Sequence, residues 1–125
     1  MDLAAIAKGY AVDQIIELLA AMQLDIQYMV EIGGEIRTVS HPQNRDDQRT
    51  WRLGIQNPAG QAGAAERIVA VNNQAIATSG DYVNYYEIKG VRYSHTIDPT
   101  TAMPVQHPLA STVVITDTCA AADAW

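Results

Sequence analysis

After one helical run, this chain breaks into short alternating segments separated by turn residues, and that punctuation decides what it can fold into. Gly33-Gly34, Asn72-Asn73-Gln74 and Lys89-Gly90 each fall between two stretches with strand-like patterning. Glycine and asparagine supply the backbone conformations that reverse a chain within two or three residues. Strands joined so tightly pair antiparallel. The segments are 27–32, with Tyr28, Val30 and Ile32 alternating; 35–40; 50–56, with Trp51, Leu53 and Ile55 on one face; 67–71; and 75–78. Residues 83–88 and 91–95 read as a hairpin across Lys89-Gly90. Residues 111–116 place Val113, Val114 and Ile115 side by side, which predicts a strand buried on both faces. Ser79-Gly80-Asp81 reads as a turn, and residues 41–50 and 57–65 as loops.

Residues 5–23 carry the helical period. Ile6, Tyr10, Ile15, Leu18, Leu19 and Met22 make the expected apolar stripe. Asp2 is placed to cap the start, and Leu24-Asp25 ends the run. Gly9 inside the helix costs about 1 kcal/mol relative to alanine, which suggests that something approaches the helix closely there. A second helix starts at Thr118, a natural N-cap. The fold class that follows is α+β, with two helices packed on a largely antiparallel sheet. Both terminal helical patterns are abrupt, so the expectation is one domain over residues 1–125, cut at both ends.

Bulk properties narrow the function. The net charge of −6 argues against non-specific nucleic-acid binding, which needs basic surface, and against a basic membrane-surface patch. Cys119 is the single cysteine, which rules out an internal disulfide and a cysteine-based zinc or iron–sulfur site. No signal-peptide pattern and no membrane-spanning run is visible in these residues.

Chemistry-bearing residues cluster in Tyr93-Ser94-His95-Thr96-Ile97-Asp98-Pro99-Thr100-Thr101-Ala102-Met103-Pro104. His95 and Asp98 lie three residues apart, and Pro99 stiffens the backbone directly after them. Histidine there can donate to phosphate, stack on a base or move a proton. The same pair equally suits a turn-capping aspartate beside a surface histidine. Asp123, near a helix start, is a candidate ligand for a hard cation such as magnesium, or simply a favourable charge at a helix N-terminus. Lys8 is placed either to meet a phosphate or to stay solvated. His41 and His107, each beside a proline, read as loop residues.

Five blocks in order resemble one family. They are Asp2-Leu3-Ala4-Ala5-Ile6-Ala7-Lys8-Gly9-Tyr10-Ala11-Val12-Asp13, Glu31-Ile32-Gly33-Gly34-Glu35-Ile36, Ala77-Thr78-Ser79-Gly80-Asp81-Tyr82, the stretch from Tyr93 to Pro104, and Cys119-Ala120-Ala121-Ala122-Asp123-Ala124-Trp125. Together they are similar to the FAD:protein FMN transferases, the ApbE family of thiamine-biosynthesis-related lipoproteins. The resemblance implies an incomplete ApbE-like (T-fold-like) domain. It implies an enzyme that binds FAD and Mg2+, releases AMP, and leaves FMN on a threonine or serine of a target flavoprotein. Such targets include subunits of membrane redox complexes. It further implies a periplasmic location with a lipid anchor in the full-length protein.

Carried onto this chain, the resemblance gives Ala5 (through its carbonyl) and Asp123 as metal ligands. It gives Lys8, Gly33, Gly34, Ser79, Gly80, Asp81, His95 and Asp98 as cofactor-binding residues, with His95 and Asp98 as catalytic candidates. His95 is either a proton acceptor or a residue lying against the nucleotide. The family usually carries glycine where this chain has Ala102; a positive φ there would strain alanine by roughly 1–2 kcal/mol. The 125 residues are expected to supply only part of a flavin pocket, so alone they should bind FAD poorly. The competing readings are a non-catalytic FAD- or nucleotide-binding module and a structural interaction domain.

Overall fold

The computed structural model of the chain describes residues 3–40, 50–57, 65–80, 85–106 and 109–125. A long helix α1 (Ala4–Ala21) is followed by β1 (Tyr28–Ile32), β2 (Glu35–Val39), β3 (Trp51–Gln56), β4 (Ala65–Val71) and β5 (Ala75–Gly80). Then come β6 (Tyr85–Ile88), β7 (Val91–Ser94), β8 (Ile97–Asp98), β9 (Met103–Pro104), β10 (Ser111–Thr116) and the short helix α2 (Cys119–Ala124). Four strands form one sheet in the order β1-β2-β5-β10, every pair antiparallel. The pairs β3/β4, β6/β7 and β8/β9 are separate antiparallel ribbons. The expected α+β class holds, with both helices packed on the four-stranded sheet.

The turn chemistry explains the hairpins. Gly33 and Gly34 join β1 to β2 with φ of +62° and +104°, a conformation only glycine reaches cheaply. The Gly34 N–H donates to Glu31 Oε1 at 2.8 Å and closes that turn. Lys89 and Gly90 reverse β6 into β7, both at positive φ. Tyr28, Val30 and Ile32 pack toward the core as their alternation predicts, and Trp51, Leu53 and Ile55 share the less exposed face of β3.

Three expectations are corrected. Ser79-Gly80 is not a turn: both residues continue β5, paired with Thr112 and Ser111 of β10. Residues 111–116 are not buried on both faces. β10 lies at the end of the sheet order, Thr112 is exposed and Ile115 is 40% exposed. The third correction concerns α1. Its buried residues are Gly9, Val12, Asp13 and Ile16, not the stripe of large side chains. Ile6, Tyr10, Ile15, Leu18 and Met22 are exposed. The helix is apolar on more than one face, and the face that packs is the one with the small residue that lets α2 approach. The helix also ends at Ala21, with Gln23 at φ +51° just beyond, and its N-cap is Leu3, which makes no side-chain cap bond. Asp2, the expected cap, lies outside the described residues.

The core is Val12, Ile16, Ala75 and Cys119, with Tyr28, Val30, Ile32 and Val39 packed around it. Asp13 is buried among these apolar groups because α2 and β2 bring it partners. Its Oδ1 accepts from Cys119 N–H at 2.9 Å and from the Arg37 guanidinium at 2.6 Å, and its Oδ2 accepts from Ala120 N–H at 2.9 Å. Thr118 Oγ1 takes the next donor, Ala121 N–H, at 3.3 Å, as its expected N-cap role requires. Asp13 thus supplies, from another helix, acceptors for the first two free N–H groups of α2. Removing one partner from a buried charge pair costs about 3–5 kcal/mol; partial exposure of Arg37 lowers that figure here.

Gly9 sets the helix crossing. A Cβ there would stand 2.3 Å from the Cys119 carbonyl oxygen and 2.8 Å from Asp123 Cβ. Neither backbone can yield without moving a helix. We therefore expect Gly9→Ala to destabilise the fold by about 1–2 kcal/mol, the overpacking penalty exceeding the roughly 1 kcal/mol gain in helix propensity. Urea denaturation of the whole protein measures it; an unchanged or raised midpoint would contradict this packing. Burial, with Asp13, Glu35 and Asp123 nearby, pushes the Cys119 thiol up to about 12. Iodoacetamide at pH 8 should leave it unmodified in the native protein and label it in denaturant, as read by mass spectrometry.

Candidate functional site

A cleft of about 750 Å³ opens where the N-terminal turns of α1, the β1–β2 turn, the end of β5, the segment after β7, and α2 converge. This is within the size range of small-molecule sites. Ala5, Lys8, Gly33, Gly34, Ser79, Gly80, His95 and Asp123 all line it. Eight of the ten residues singled out from sequence therefore share one cavity, although they span most of the chain. Asp81 lies outside the described residues, as do His41 and His107. Asp98 is not among the residues lining the cleft.

Asp98 does what a turn-capping aspartate does. Its Oδ1 accepts from Thr100 N–H at 2.8 Å, its Oδ2 accepts from the Thr101 hydroxyl at 3.1 Å, and its carbonyl accepts from Ala102 N–H at 2.8 Å. The Thr100 backbone N–H, ahead of the opposing effect of desolvation, holds its carboxyl below the usual 3.8. A lowered folded-state pKa makes this turn most secure above the ordinary value, and the contribution fades as pH falls through the lowered one. Asp98 thereby supports the segment whose preceding residues His95, Thr96 and Ile97 face the cleft.

Ala102 sits at φ +55°, in the left-handed region. The strain expected there is real in the geometry, and the Asp98 carbonyl bond helps hold it. Ala102→Gly should stabilise the protein by about 1 kcal/mol. Thermal unfolding checks this, and a lower melting temperature would contradict it.

The opposite wall is made by α1 and α2. Asp123 Oδ2 accepts from the Gly9 N–H at 2.9 Å. In a regular helix that N–H points at the carbonyl four residues back, which is Ala5. Gly9 thus bonds one candidate metal ligand, Asp123, and stands one helical turn after the other, Ala5. Gly9 brings them together twice, through its N–H and through its missing side chain.

Several residues of the site lie within the quoted blocks but were not singled out from sequence. Glu35 lines the cleft and is 3% exposed. Its Oε1 pairs with Lys8 Nζ at 2.7 Å, while its Oε2 is buried with no hydrogen-bond partner. Lys8 is thus neither free in solvent nor committed only to a ligand. An unsatisfied buried acceptor costs about 1–3 kcal/mol, so this carboxylate is an expensive feature of the cleft. The pair joins residues 27 positions apart, which no spacing rule anticipates. Thr78 and Thr96 add hydroxyls to the lining. Among the described residues, no three His, Cys, Asp or Glu side chains gather as a metal cluster.

A mixed helix and antiparallel-sheet domain with a glycine-, hydroxyl- and carboxylate-lined cleft is the class this geometry defines. The ApbE family model matches residues 1–125, and the chain belongs to the ApbE family. The FAD:protein FMN transferase of Vibrio cholerae is 45% identical over 123 residues, covering 98% of this chain and 36% of that protein. The FAD:protein FMN transferase of Haemophilus influenzae is 44% identical over 126 residues, covering 98% and 35%. The crystal structure of Pseudomonas stutzeri flavinyl transferase ApbE in its apo form matches with a TM-score of 0.77 at 40% identity, over 99% of this chain and 36% of that one. The ApbE protein of Thermotoga maritima matches with a TM-score of 0.85 at 32% identity, over 99% and 38%. The chain spans about a third of the length of the curated relatives it matches.

Proposed function

We propose that this chain forms one wall of the active site of an FAD:protein FMN transferase. That enzyme moves FMN from FAD to a threonine or serine hydroxyl of a target flavoprotein and releases AMP. The observation that carries the reading is the single cleft in which Ala5, Lys8, Gly33, Gly34, Ser79, Gly80, His95 and Asp123 meet. The names of its relatives supply the reaction class.

The residues fit a hard divalent cation such as Mg2+. The candidate ligands are all oxygens, from the Asp123 carboxylate and the Ala5 carbonyl, on helices fixed together at Gly9. Two protein oxygens suit an ion that completes its shell with phosphate and water. Bound there, the ion would offset charge on the pyrophosphate. The chain's own residues do the rest. Lys8 meets phosphate oxygens, and the Gly33-Gly34 turn lets backbone approach the ligand without a side chain between. Ser79, Thr78 and Thr96 offer hydroxyls. In the transfer itself, the acceptor hydroxyl oxygen attacks the FMN-side phosphorus and the bond to the AMP phosphate breaks. The hydroxyl proton passes to a base, with His95 in the cleft wall as a candidate. His95 also suits a place against the nucleotide, with Asp98 supporting its segment.

The target carries the acceptor threonine or serine and belongs, in this reading, to a membrane redox complex. The whole protein is periplasmic and lipid-anchored. No helix among the described residues is long and apolar enough to cross a membrane. The test is AMP release and covalent flavin fluorescence from the whole protein with FAD, Mg2+ and a target peptide. Both signals should appear in the wild type and collapse to background in Asp123→Ala. Reversible FAD binding without AMP release in the wild type would instead make the chain part of a binding module.

A further inference from the structure

We propose that Glu35 is a positioning residue: it anchors the Lys8 ammonium in the cleft so that Lys8 meets the ligand's phosphate oxygens from a fixed place. The proposal rests on the reading that the cleft takes FAD. The geometry is one-sided. The Glu35 side chain is 4% exposed and that of Lys8 47%, with 2.7 Å between Oε1 and Nζ. The anion is therefore built into the fold at the start of β2, while the cation lies between it and the open cleft.

Two further observations fix the arrangement. Glu35 Oε2 is buried without a partner, so the carboxylate cannot turn to water, and losing Lys8 would leave it as a buried unpaired charge. Gly33 lies close over the pair: a Cβ there would stand 3.5 Å from Lys8 Cδ and 3.6 Å from Glu35 Oε2. The β1–β2 turn thus lies against both the lysine stem and the carboxylate. An ammonium carries three donors. One is used by Oε1, leaving two for oxygen acceptors in the cleft. A lysine held this way has already lost the side-chain freedom that a solvated one gives up on binding. Among the described residues lining the cleft, Lys8 is the one lysine or arginine, so Glu35 acts on the principal cation of the site.

The experiment measures FAD and riboflavin affinity by flavin fluorescence in the whole protein, for wild type, Glu35→Gln, Lys8→Met and the double variant. Each single substitution should weaken FAD about tenfold, and the double variant should be no weaker than Lys8→Met alone. Riboflavin, which has no phosphate, should bind all four alike, which also reports that each is folded. The proposal is overturned if Glu35→Gln leaves FAD affinity unchanged or weakens it further in the Lys8→Met background. It is equally overturned if riboflavin is weakened as much as FAD, the mark of a structural role. A wild type that binds riboflavin but not FAD, or neither, removes the reading of the cleft and this proposal with it.

Discussion

The Asp13 carboxylate is the interaction on which the rest of this structure depends. It sits inside α1, away from solvent, and accepts the first two free N–H groups of α2 while pairing with Arg37 of β2. A helix of six residues has little stability of its own. What holds α2 in place is this carboxylate, the Thr118 cap and the contact at Gly9. Because α2 carries Asp123, the position of one candidate metal ligand is decided by a residue that never reaches the cleft. The buried charge is tolerated because a guanidinium and two backbone N–H groups face it.

The cleft follows the same logic on its other sides. Its walls come from places where backbone comes close to the surface: the first turns of α1, the Gly33-Gly34 turn, the end of β5 and the segment after β7. The side chains that line it are short hydroxyls, one histidine, the Lys8, Glu35 and Asp123 charges, and the apolar Ile97 and two alanines. Asp98 contributes from behind, by holding the turn that follows the cleft-facing residues 95–97.

Much of the fold was legible because it rests on local rules. Gly33-Gly34 and Lys89-Gly90 announce hairpins through their positive φ, and Thr118 announces a helix start. The misread elements are those that local rules leave undecided. In α1, large apolar residues occur on more than one side, so size pointed to Ile6, Tyr10 and Leu18, while packing selected the face of Gly9, Val12 and Ile16. Ser79-Gly80 has turn composition, yet β10 offers it a partner strand and extends β5 through it. The run Val113-Val114-Ile115 has the composition of a central strand, but the sheet order places it at an end. In each case the deciding neighbour is distant in sequence.

By itself the sequence determined the antiparallel α+β class, the hairpin positions, and the set of blocks that point to a flavin transferase. It could do so because turn conformation and strand alternation are properties of a few consecutive residues. Only the tertiary structure decided which of those residues face one another. It joined Lys8 to Glu35, set Asp123 against Gly9 and buried Asp13 beneath α2. These pairings join residues 27, 114 and 107 positions apart, and they depend on how two helices cross over a sheet. A buried carboxylate is stable only where its donors are already assembled. No stretch of sequence announces that assembly before the fold brings it together.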